Sequence, residues 1–136
     1  MSRQQSVELL TRYYAAFNAQ DWDGMLACLA EDVAHHVNEG QVRRGKAQFG
    51  AFLAHMDRCY AEQLADIVVM ANEDGGRASA EFTVHGTYKE TDPGLPEACG
   101  QSYVLPAGTF ATIDNGLIAR ITTYYNLADW TRQVSA

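Results

Sequence analysis

The chain has 136 residues, 47% of them hydrophobic, and a formal net charge of -7. That length suits one domain with a single core, taken as residues 1–136, and the ordinary apolar fraction argues against disorder. The acidic balance argues against nucleic-acid phosphates or an anionic membrane surface as partners, and Arg43, Arg44 and Lys46 read as a solvated loop.

Ser2 and Gln5 fit a capping box at the start of a first helix. Val7, Leu10, Tyr14 and Phe17 then recur at helical spacing, with Tyr13 on the edge of the same face. Asn18–Gln20 breaks the pattern, and Asp21 caps a short second helix carrying Trp22, Met25, Leu26 and Leu29. Residues 31–38 alternate Val33, His35, Val37 against Ala34, His36, Asn38, a strand pattern. Lys46–Tyr60 reads as the third helix, with Phe49, Phe52, Leu53, Met56 and Tyr60 on one face.

From Leu64 onward the pattern turns to strands, at about 64–72, 77–90, 101–113 and 117–126. EDGG (73–76) and DNG (114–116) are hairpin turns, where Gly or Asn supplies positive φ. Residues 91–100 form a longer loop. Pro106 cannot donate to a ladder, so a bulge is expected in 105–108. Residues 126–134 close with a short helical turn carrying Trp130. Helices first and an antiparallel sheet after them imply an α+β fold.

Cys28, Cys59 and Cys99 lie far apart and form no CxxC pair, which does not suit a disulfide framework. The opening residues lack the apolar run of a signal peptide, so a reducing cytoplasm is expected. His35, His36, His55 and His85 give no helical H-x-x-x-H and no paired cysteines, so no metal is expected. No Walker loop, GxGxxG or GxSxG is present, and no cofactor is expected.

The order of elements resembles the nuclear transport factor 2-like superfamily. RYYAAFNAQDWDGMLACLAEDV (12–33) and FTV (82–84) are similar to the ketosteroid isomerases, and TTYYNLADW (122–130) resembles the SnoaL-like polyketide cyclases. The resemblance implies a cystatin-like cone, with three N-terminal helices packed on a curved, mostly antiparallel sheet that encloses one pocket. It also implies a homodimer through the sheet's outer face, where Glu81 and His85 lie.

The isomerases use a helix-1 tyrosine, a first-strand aspartate base and a protonated late-strand aspartate, a standard case of pKa tuning. The tyrosine falls on Tyr13. The base falls on Val37 or its neighbours and the late acid on Gly108, with no carboxylate at either place. In the cyclases an acid near the end of the last strand carries the proton; here that position holds Asn126, an amide that can orient a substrate or polarise a carbonyl. His35, on the inward parity of its strand, can exchange a proton near neutrality; equally, it can be a hydrogen-bonded interior histidine.

The expected pocket is lined by Tyr13, Trp22, Val33, His35, Phe52, Met56, Phe82, Val84, Tyr88, Phe110 and Tyr125, with Asn126 near its mouth. Two functions stay open. One is cofactor-free isomerisation, cyclisation or dehydration of a small carbonyl compound, with Tyr13, His35 and Asn126 catalytic. The other is non-catalytic binding of a small hydrophobic molecule, or a dimeric scaffold.

Overall fold

The computed structural model describes residues 2–135; Met1 and Ala136, the ends of the expected domain, lie outside the described residues. Helix α1 (Arg3–Asn18) begins at the expected capping box, with both reciprocal Ser2–Gln5 hydrogen bonds formed. It buries Leu9, Leu10, Tyr13 and Tyr14. Asp21 caps α2 (Trp22–Leu26) by accepting from the Gly24 N–H at 2.9 Å. Strand β1 (Leu29–Val37), the two-residue β2 (Arg43–Arg44) and helix α3 (Lys46–Cys59) follow. The sheet is completed by β3 (Tyr60–Ala71), β4 (Arg77–Tyr88), β5 (Ser102–Asp114) and β6 (Leu117–Tyr125), and α4 (Leu127–Val134) closes the chain.

The six strands lie in the order β2-β1-β6-β5-β4-β3. Only β1 and β6 run parallel; every other pair is antiparallel. Helices α1 and α3 pack on one face of this curved sheet, the cone that the family resemblance implied. Asn18 fastens α1 to that sheet: its amide donates to the Leu64 carbonyl at 3.0 Å and accepts from the Leu64 N–H at 2.8 Å. No helix among the described residues is long and apolar enough to cross a membrane.

Two expectations about the strands need correction, and both decide what faces the interior. First, β3 begins at Tyr60 rather than near Leu64, because α3 passes into the strand without a loop; Tyr60 is already extended at φ -134°, ψ 149°. Tyr60, Glu62 and Leu64 consequently share the inward side of a strand. Second, β5 has no bulge at 105–108: its pairing with β4 runs unbroken from Ser102 to Thr112. The N–H and C=O of Val104 both face the Gln133 side chain. Pro106, two residues on, faces the same side, where pairing with β6 has ended at Ala107. Its missing N–H is therefore needed by no strand. The irregularities fall elsewhere: between Ala65 and Val68 on β3, where Asp66 takes φ 54°, between Leu29 and Ala34 on β1, and at Ala119 on β6, opposite Thr112 and Ile113.

Candidate functional site

A cavity of about 490 Å³ opens between the helices and the concave sheet face, a size suited to a small organic molecule. Its walls come from α1 (Tyr13, Tyr14, Phe17), β1 (His35, Val37), α3 (Phe49, Phe52, Leu53, Met56) and the inward positions of β3 to β6, including Phe82, Val84, Leu105, Thr109 and Tyr125.

Tyr13 and Tyr14 meet edge to face, with centroids 4.9 Å apart. Their hydroxyls differ in what satisfies them. Tyr14 is bonded to the Thr109 hydroxyl at 2.6 Å, whereas among the described residues nothing bonds the Tyr13 hydroxyl. Burial pushes the Tyr13 phenol well above its ordinary value, with Tyr14 and Cys28 adding to the effect, so it is a neutral donor at any working pH.

His35 is 4% exposed and lies against Phe49 and Phe52, with ring centroids 4.4 and 4.7 Å away. Among the described residues its Nδ1 is the one fully buried side-chain nitrogen or oxygen without a hydrogen bond. Burial, helped by the charges of Arg43 and His36, lowers its pKa from 6.5 to about 4. It is therefore a neutral imidazole near pH 7. Arg43 is not the solvated loop residue expected; it lines the cavity, its guanidinium 4.5 Å from the centre of the Phe52 ring.

Several expected site residues lie elsewhere. Trp22 packs edge-on behind Phe17, at 6.0 Å, and does not reach the cavity. Val33 is sealed in the core at 0% exposure. Tyr88, also 0% exposed, stacks on Tyr60, donates to the Pro96 carbonyl at 2.6 Å and accepts from the Asp92 N–H at 2.9 Å. It anchors the loop after β4 rather than facing a guest. Phe110 is half exposed on the opposite sheet face, against Tyr124 at 6.0 Å; the missing bulge would have turned it inward. Asn126 is exposed and caps α4 through the Asp129 N–H at 3.0 Å. Gly108 also points outward, and the inward neighbour is Thr109, so a carboxylate at 108 could not enter the cavity. Phe52, Met56, Phe82, Val84 and Tyr125 do line it, together with Tyr13 and His35.

The sequence reading missed a second polar group at the far end of α3. Asp92 accepts from the Tyr60 hydroxyl at 2.7 Å and pairs with His55 Nε2 at 2.9 Å. Arg58 donates to His55 Nδ1 at 3.0 Å; a guanidinium only donates, so Nδ1 accepts and Nε2 carries the hydrogen given to Asp92. Nearby, the Tyr103 hydroxyl donates to Glu62 Oε2 at 2.5 Å. Glu62, Asp92, His55 and Tyr60 all line the cavity. Donor atoms of His55, Cys59 and Asp92 lie within 4.8 Å of one another. A metal on Nε2 would require a hydrogen on Nδ1, and Arg58 occupies that side as a donor; the group is built as a hydrogen-bonded pair. The one sequence signal for it was His55 one helical turn before Cys59; the early start of β3 that brings Tyr60 and Glu62 to it had none.

The SnoaL-like domain family matches residues 10–121 of the chain. This chain belongs to the SnoaL-like family. No curated protein matches it. Among solved structures, this SnoaL-like chain is 60% identical to a candidate polyketide cyclase from Pseudomonas putida KT2440 (TM-score 0.94), covering 96% of this chain and 98% of that one. It is also 60% identical to a candidate polyketide cyclase from Silicibacter sp. TM1040 (TM-score 0.96), covering 100% and 99%. An LEH-like epoxide hydrolase of Mycobacterium tuberculosis shares the fold at 15% identity (TM-score 0.77), covering 97% of this chain and 90% of that one. A shared fold does not fix the reaction, which has to be argued from the residues in the cavity.

Proposed function

We propose that this SnoaL-like protein is a cofactor-free catalyst of proton transfer next to the carbonyl of a small, largely apolar compound, in an isomerisation, cyclisation or dehydration. The observation that carries the reading is His35, a neutral imidazole in the cavity wall: its Nδ1 is sealed among protein atoms, which leaves Nε2, bonded to nothing among the described residues, as the nitrogen that meets a guest. It takes a proton from the carbon beside the carbonyl. Tyr13, whose hydroxyl is likewise unclaimed, donates to the oxygen as negative charge gathers there. Arg43, close enough to lower the His35 pKa, adds positive charge at the same end. Asn126 has no part, since its side chain serves the α4 cap. The imidazolium then returns the proton to a different carbon, or gives it up after a leaving group departs. The apolar walls keep water away from the enolate.

We also propose that two copies pair through the outer face of the sheet, leaving the concave cavities separate.

The test uses 2-tetralone in D2O, following exchange of its α-hydrogens by NMR. Wild-type protein should accelerate exchange over buffer. His35→Gln should lower the acceleration roughly 10²–10⁴-fold, and Tyr13→Phe roughly 10²–10³-fold. Because the base works deprotonated, the rate should rise with pH through about 4 and then level. Bound ketone, seen by line broadening, with no accelerated exchange would sink the catalytic reading and leave a protein that holds its guest unchanged.

A further inference from the structure

Helix α3 runs along the cavity. Phe52, near its middle, touches His35. Cys59, at its end, adjoins Tyr60 and the inward-facing Glu62. Those seven residues of helix rise roughly 10 Å, and Glu62 lies three residues further on. In the sheet His35 is in register with Ile121 and Ala111, and Glu62 with Gly86 and Tyr103, so the two lie at opposite ends of the cavity.

Glu62 is held in place from two sides. Strand register turns it inward between Tyr60 and Leu64. The Tyr103 hydroxyl claims Oε2, and the Tyr103 ring sits over Gly86, which pairs with Glu62 in the ladder. Oε1 has no hydrogen bond among the described residues, and no described Lys or Arg forms an ion pair with this carboxyl. Burial pushes the carboxyl up from its ordinary value, against the pull of the Tyr103 hydrogen bond. Asp92, at the same end of the cavity, is already engaged by Tyr60 and His55; Glu62, fixed at one oxygen and open at the other, is the acceptor there still waiting for a donor.

We propose that Glu62 is a second anchor of the cavity, whose free Oε1 receives a hydroxyl at the end of the guest remote from the carbonyl addressed by Tyr13 and His35. The guest is then elongated, with an apolar body and an oxygen function at each end. This rests on the carbonyl end being the one named above, but its test requires no turnover.

The test is calorimetric binding of 6-hydroxy-2-tetralone and 6-methoxy-2-tetralone, which differ at the far end only in whether the oxygen can donate. Wild-type protein should prefer the hydroxyl compound by about tenfold or more. Glu62→Gln keeps the shape, and Tyr103 should hold its amide oxygen and leave the NH2 group to the cavity. The preference should therefore vanish or reverse toward the methoxy compound. Equal binding of the two ketones to wild type, or a hydroxyl preference unchanged in Glu62→Gln, overturns the proposal. Neither result depends on 2-tetralone exchange, so the anchor and the catalysis can fail separately.

Discussion

At His35 the protein keeps an imidazole where a phenyl ring would sit more cheaply. The ring lies between Phe49 and Phe52, and a buried nitrogen without a partner costs about 1–3 kcal/mol. His35→Phe removes that nitrogen at similar volume. We expect the variant to be more stable than wild type at pH 7, by about 1 kcal/mol after repacking, while ketone exchange is lost. The pH dependence should change as well. The unfolded chain binds the His35 proton near pH 6.5 and the folded chain only near 4, so between those values the unfolded state holds more protons. The contribution is complete above about pH 6.5, declines as pH falls, and stops declining below about 4, a total of about 3 kcal/mol. Urea unfolding of wild type and His35→Phe across pH 3.5–7.5 reads the difference. A variant that loses stability at pH 7, or a difference curve flat across that window, would mean that the histidine is a structural residue.

The elements differ in how plainly the sequence announces them, and the reason is physical. Helix α1 and the DNG hairpin were legible because local rules decide them: a capping box, a 3.6-residue apolar period, and two positive-φ residues at Asn115 and Gly116. The start of β3 was not legible. Tyr60 fits the apolar stripe of α3, yet ladder pairing with Tyr88 pulls it into the sheet, and long-range pairing has no local signal. That single misplacement hid Glu62 and Tyr60 from the predicted site. Pro106 misled in the opposite direction, since whether a proline breaks a strand depends on which neighbour it faces. Gly86 shows the same dependence on tertiary context. A Cβ there would overlap the Tyr103 ring, so Gly86→Ala should cost about 1–3 kcal/mol by overpacking. In a Tyr103→Ala background the same change should cost under about 0.5 kcal/mol, because the ring it collides with is gone. Denaturant midpoints of the four proteins close that cycle; equal costs in both backgrounds would show that the glycine answers to backbone conformation rather than to the ring.

On the scale of the whole molecule, the sheet has a concave face that walls the cavity and an outer face that a shift on one strand helps to shape. The irregularity at Asp66 reverses the alternation of β3, so that Val68 and Met70 point outward. There Met70 and Phe110 flank Ser79 in one row across the strands, and Val68 and Tyr124 flank Glu81 and Gly108 in the next. Val68, Met70, Phe110 and Tyr124 are each about half exposed. Large apolar side chains on either side of Ser79 and Gly108, with Glu81 between the ridges, make a shallow trough that a second copy rotated by a two-fold axis can meet with its own ridges. If two copies meet here, Phe110→Asp places a charge in the middle of the contact with nothing to neutralise it. Sedimentation should show wild type as a dimer at micromolar concentration and Phe110→Asp as a monomer. Ketone binding should be nearly unchanged, because Phe110 faces away from the cavity. A wild-type monomer, or a Phe110→Asp dimer of undiminished strength, would remove the outer face from the assembly while leaving the concave site as it stands.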